Sequence, residues 1–125
     1  MNSAHSLLIV DAALFMRDLI SDSIGNHFEY IYYADSVDTA FTMLTCLSPS
    51  LITLDLSMDA QDNISDMRLL KRIRKLGNNT KIVVISEIDQ SSVIDQLYDM
   101  GISEYIQKPF KPQMLSDTIR QSMGQ

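Results

Sequence analysis

The chain predicts an α/β protein built on an open five-stranded parallel sheet with helices on both faces. Two observations carry that expectation. Five short apolar or aromatic runs alternate with five stretches whose apolar residues recur at helical spacing. Four of the five runs end on a polar residue, at Asp11, Asp55, Ser86 and Lys108. Right-handed crossovers between parallel strands then leave very few topologies. The 125 residues make one domain, 1–125, long enough to bury a core without disulfides or metals as staples.

Leu7-Leu8-Ile9-Val10 is too short for a helix and reads as the first strand, ending at Asp11. Phe15, Met16, Leu19, Ile20 and Ile24 then fall on one helical face, with Gly25 as the C-terminal cap. Tyr30-Ile31-Tyr32-Tyr33 is aromatic and branched, hence a strand. Ser36 predicts an N-cap for a helix that buries Val37, Ala40, Phe41 and Leu44, and Pro49 breaks it. Leu51-Ile52-Thr53-Leu54 is the third strand, ending at Asp55. Ser65 caps the next helix, whose inward stripe is Leu69, Ile73 and Leu76 and whose stop is Gly77. Ile82-Val83-Val84-Ile85 is the fourth strand, ending at Ser86. Val93, Ile94, Leu97 and Tyr98 mark the fourth helix, which Gly101 ends. Tyr105-Ile106-Gln107 is a short last strand before Lys108-Pro109. Pro112 opens a final helix that buries Leu115, Ile119 and Met123. The eight methionines, none clustered, read as core filler.

Composition narrows the function. Hydrophobic residues at 46% and charged residues at 21% describe a folded chain. Sixteen acids against ten bases give a net charge of −6, which opposes binding to nucleic acid or anionic membranes. The one basic cluster, Lys71, Arg72, Arg74 and Lys75, reads as the solvated face of a helix. Cys46 is the only cysteine and suits a reducing compartment. No apolar run approaches the roughly 20 residues of a membrane span. Met1-Asn2-Ser3-Ala4-His5 lacks the basic start of a secretion signal. A cytoplasmic protein is expected.

In an open parallel sheet, ligands bind beyond the carboxyl ends of the strands. Each polar residue there has an ordinary role by itself: Asp11 as a helix cap, Asp55 as a loop acid, Ser86 in a turn, Lys108 on the surface. Together they place two carboxylates, a hydroxyl and an ammonium on one edge, which is a kit for holding a divalent metal and moving a phosphoryl group. Other chemistries lack their residues. A phosphatase of the haloacid-dehalogenase type needs a second Asp where Ala13 stands, and no glycine-rich nucleotide loop is present. His5 and His27 have no metal-ligand spacing.

These residues give the chain a resemblance to the receiver domains of two-component response regulators, the CheY-like family, over essentially its whole length. It rests on Leu8-Ile9-Val10-Asp11 followed by Phe15-Met16-Arg17, which resembles the chemotaxis type. It continues through Leu51-Ile52-Thr53-Leu54-Asp55-Leu56-Ser57-Met58 and Ile82-Val83-Val84-Ile85-Ser86, and closes with Gly101-Ile102-Ser103-Glu104-Tyr105-Ile106-Gln107-Lys108-Pro109-Phe110. The resemblance implies strand order 2-1-3-4-5. It also implies that Asp55 accepts a phosphoryl group from a histidine kinase or phosphotransfer protein. Asp11, Asp55 and the Ser57 backbone carbonyl would hold Mg²⁺, and Lys108 would pair with Asp55 and then with the phosphoryl group. Ser86 would move inward and Tyr105 would follow, changing the face of helix 4, strand 5 and helix 5 that a downstream protein reads. The Lys108-Pro109 bond would be cis.

The pattern is degenerate in places. The second of the family's paired acids after strand 1 is Ala12, which weakens the Mg²⁺ shell. The small residue usual after the switch hydroxyl is Glu87, which would obstruct the site, face solvent or replace the lost carboxylate. The proline expected four residues after Asp55 is Asp59, and the loop it opens is longer than usual; Asp59 or Asp62 is a candidate replacement ligand, the alternative being a solvated acidic loop. A second reading follows: a pseudo-receiver, the same fold acting as an interaction module without phosphorylation. The chain ends directly after the last helix, so if it is complete its output is by protein contact.

Overall fold

A computed structural model describes residues 5–56, 63–75 and 80–124. Its elements are β1 (Ser6–Val10), α1 (Leu14–Ile24), β2 (Tyr30–Ala34), α2 (Val37–Met43), β3 (Leu51–Leu54), α3 (Asn63–Lys75), β4 (Lys81–Ser86), α4 (Ser91–Asp99), β5 (Glu104–Gln107) and α5 (Pro112–Ser122). The strands form one sheet in the order β2-β1-β3-β4-β5, and every pairing is parallel. This is the fold class and strand order expected from the sequence.

Two apolar layers follow from the alternation of side chains along each strand. Leu8, Val10, Ile52, Leu54, Ile82 and Val84 point to one face, where they meet Ala40, Leu69, Leu70, Ile73 and Leu97 from α2, α3 and α4. Leu7, Ile9, Leu51, Val83, Ile85 and Ile106 point to the other, where they meet Ile20, Ile24, Leu115 and Ile119 from α1 and α5. Both faces are covered, which explains why residues 7–10, 51–54 and 82–85 are buried on both sides and, Thr53 apart, apolar rather than alternating.

The helix signals hold in most places. The Ser36 hydroxyl accepts the Thr39 N–H at the start of α2, and Pro112 stands in the first turn of α5. Gly101 ends α4 with φ +96°, a conformation that disfavours any residue with a Cβ. Gly25 follows α1 but in right-handed geometry, opening a 3₁₀ turn over Gly25–His27.

Four expectations need correction or fall outside. Phe15 is 76% exposed, because it lies in the first turn of α1, beyond the edge of the sheet that buries Ile20 and Ile24. Ser65 lies inside α3, which is already helical at Asn63. Five methionines lie outside the buried core: Met16, Met43, Met100 and Met123 pack against its margins and Met114 is exposed. Leu76 and Gly77 lie outside the described residues.

Candidate functional site

The carboxyl ends of β1, β3, β4 and β5 converge on the predicted constellation. Asp11 follows β1 directly, Asp55 follows β3, Ser86 ends β4 and Lys108 follows β5. Since β1 and β3 are neighbours in the sheet, their terminal carboxylates are forced close together. Lys108 resolves the repulsion. Its Nζ lies 2.9 Å from Asp11 Oδ2 and 3.0 Å from Asp55 Oδ2, donating to both. Asp11 and Asp55 are only 2% and 6% exposed, so the pairing takes place largely out of water. Buried charge of this kind is tolerable only when paired.

Each member is held by its surroundings. Asp11 Oδ1 accepts the Ala13 N–H at 2.9 Å, and Arg17 Nη1 donates to the Asp11 main-chain carbonyl at 2.8 Å. Asp11 is thus both a turn residue ahead of α1 and a charged member of the site. The Asp55 N–H donates to Val10 O, extending the β1–β3 ladder to the site. The Lys108 N–H donates to Ser86 O at 2.8 Å, and the Lys108-Pro109 peptide is cis as expected. Burial works against the Lys108 charge, but its bonds to Asp11 and Asp55 and their negative charges outweigh it, holding the ammonium above the usual lysine range.

Ser86 is fully buried, and its Oγ accepts the Ile88 N–H at 3.4 Å. No hydrogen bond joins that hydroxyl to Asp11, Asp55 or Lys108 among the described residues. Tyr105 reaches over the same segment from β5, its hydroxyl donating to Ile88 O and, at 3.4 Å, to Ser86 O. Burial pushes its phenol above the ordinary 10.0, offset in part by Ser86 and reinforced by the charges of Asp55 and Asp89. Glu87 is exposed, which matches the solvent-facing alternative. Ser57 and Asp59, expected as a backbone metal ligand and a possible modifier, lie outside the described residues, as does Asp62. Two contributors were not anticipated in the sequence: Arg17, whose bond is to a main-chain carbonyl, and Tyr98, whose hydroxyl accepts the Tyr105 N–H at 3.1 Å.

The carboxylate pair suits Mg²⁺ by type, since that ion takes hard oxygen donors and is satisfied with one or two carboxylates plus waters and phosphate oxygens. Among the described residues there is no cluster of three or more acids, histidines or cysteines arranged to hold a metal. No described helix is long and apolar enough to cross a membrane.

A doubly wound parallel sheet with paired acids and a lysine at its carboxyl edge is an arrangement shared by receiver domains. Residues 7–120 match the response regulator receiver domain family, and the chain belongs to it. It is 31% identical over 122 residues to the chemotaxis protein CheY of Bacillus subtilis (strain 168), covering 97% of this chain and 99% of that one. It is 30% identical over 114 residues to the CheY of Thermotoga maritima, covering 90% and 92%. A response regulator structure from Thermotoga maritima superposes with a TM-score of 0.84 at 20% identity, covering 98% of this chain and all of that one. A CheY-like receiver domain from Methanospirillum hungatei JF-1 gives a TM-score of 0.84 at 18% identity, covering 98% and 95%.

Proposed function

We propose that this chain is a single phosphorylatable receiver domain, with Asp55 as the phosphoacceptor. The observation that carries the proposal is the position of one ammonium within 3.0 Å of both Asp11 and Asp55. Asp55 Oδ attacks the phosphorus of a phosphohistidine or small acyl phosphate; the new P–O bond forms as the P–N or P–O bond to the donor breaks, and the leaving group departs in line. Lys108 already neutralises the nucleophile's neighbourhood and is close enough to follow the charge onto a phosphoryl oxygen. Asp11, Asp55 and the Ser57 carbonyl would hold Mg²⁺. Bound there, that ion supplies neutralisation of the phosphoryl oxygens.

The phosphoryl group then competes for Ser86, whose hydroxyl accepts the Ile88 N–H at 3.4 Å. A shift of Ser86 disturbs the carbonyls of Ser86 and Ile88 that hold the Tyr105 hydroxyl. The change reaches the surface formed by α4, β5 and α5, which a downstream protein partner reads. This is a local charge event biasing a two-state element. The partners are a histidine kinase or phosphotransfer protein and that downstream target, and no catalysis beyond the domain's own phosphoryl group is involved.

Ala12 supports the second reading, a receiver fold used without phosphorylation. Intact mass after incubation with acetyl phosphate and excess Mg²⁺ separates the two. A metal-dependent gain of one phosphoryl group, absent in Asp55→Asn, is the expected result. No gain with acetyl phosphate or with a phosphorylated histidine donor would leave the interaction module.

A further inference from the structure

Tyr98 lies in the last turn of α4 and is 44% exposed, yet its hydroxyl is engaged with the backbone of β5. β5 is an edge strand. The Lys108 N–H points inward to Ser86 O on β4, and successive N–H groups along a strand alternate in direction. The Tyr105 N–H, three residues earlier, therefore points away from the sheet, where an edge strand has no ladder partner. Tyr98 supplies one. Tyr105 is then fastened twice to the α4 region: its main chain to the end of α4 through Tyr98, and its side chain to Ile88 in the loop before α4.

We propose that Tyr98 is a positioning residue for the switch. By holding the Tyr105 N–H, its hydroxyl keeps α4 against β5 and the Tyr105 ring over the Ser86–Ile88 segment, so that it restrains the movement of Ser86 toward Asp55. The inference rests on Asp55 being the phosphoacceptor. Loss of this one bond releases the restraint, and the resting arrangement gives way more easily to the phosphorylated one. The effect on rate is set by a single neutral hydrogen bond with an exposed partner, so it is about threefold.

The test is Tyr98→Phe, which removes one oxygen and leaves the ring. Nuclear magnetic resonance of the unphosphorylated protein is expected to show faster deuterium exchange at the Tyr105 amide relative to Ile106, with displaced Tyr105 ring signals and an unchanged β1–β3 core. Phosphoryl uptake from acetyl phosphate is expected to rise about threefold. Tyr105→Phe keeps the N–H but loses the ring's bond to Ile88; combined with Tyr98→Phe it is expected to add less than the separate effects multiply to, because both act through one ring. Unmoved Tyr105 signals overturn the proposal. Moved signals with an unchanged uptake rate overturn its link to the site. A wild-type protein that takes up no phosphoryl group removes the phosphoacceptor reading and with it the effect on rate, while the Tyr105 signals still decide whether Tyr98 positions the ring.

Discussion

The middle of the sheet and its carboxyl edge obey opposite rules within a few ångströms of one another. Leu8, Ile9, Ile52, Leu54, Val83 and Val84 are apolar and essentially inaccessible, and every one is satisfied by neighbours of any suitable shape. One residue further along the same strands, Asp11, Asp55 and Ser86 are as buried but polar. Burying two carboxylates costs free energy that their pairing with Lys108 only offsets. The middle is what stability alone would select; the edge is retained against it. The polar groups mark the edge as the candidate functional site.

The contrast can be broken from either side. Leu8→Ala, in the middle of β1, is expected to lower unfolding free energy by about 3 kcal/mol through lost burial and a residual cavity, read from urea denaturation, with the spectrum of the site otherwise native. Lys108→Met strikes the edge: two close carboxylates lose their common partner, and stability at neutral pH is expected to fall by about 2 kcal/mol while phosphoryl uptake at Asp55 is abolished. Gly101→Ala lies in neither region. Its cost of about 1 kcal/mol comes from forcing a Cβ into left-handed backbone at the end of α4, against Arg74 Nε only 3.2 Å away. Asp55→Asn is expected to change stability by less than about 1 kcal/mol, since it removes one of two competing negative charges along with one ion pair. A large loss there would mean that the edge is organised for stability after all.

The pH response sharpens the same comparison, and its sign is fixed. Lys108 and Tyr105 both hold their protons more tightly in the folded chain than their ordinary values of 10.5 and 10.0. Their contribution is complete below about pH 10 and is lost as pH rises through the raised values. Urea midpoints followed from pH 8 to 11.5 are expected to decline above pH 10, with a shallower decline in Lys108→Met. The apolar middle contributes nothing to that slope.

The strand middles were legible because their physics is local: short branched runs, too short for helices, with turn residues between them. The edge was legible because polar residues recur where such runs stop, and because the order of those residues matches the receiver family. What escaped was contact made through direction rather than type. Phe15 fits the helical period that buries Ile20, but the period says nothing about where the sheet ends beneath it. Nothing in the chain fixed the direction of Glu87, which the structure exposes. Arg17 binds a main-chain carbonyl and Tyr98 a main-chain N–H, and backbone groups carry no sequence signal. Ser65 is a residue type that caps helices, but serine also occurs inside first turns, and α3 already includes Asn63.

The reach of Lys108 has a mechanical side. It follows β5, yet its ammonium is bonded to the acid that follows β1, with β3 and β4 between them. At about 4.8 Å per strand step, that is a span of three spacings bridged at the open rim of a twisted sheet. The lysine therefore works as a cross-brace, joining an edge strand to the centre where the ladder has run out. If Asp55 is the phosphoacceptor proposed above, a change in its charge would re-tension that brace, and the stiffness of the outermost strand would report events two strands away.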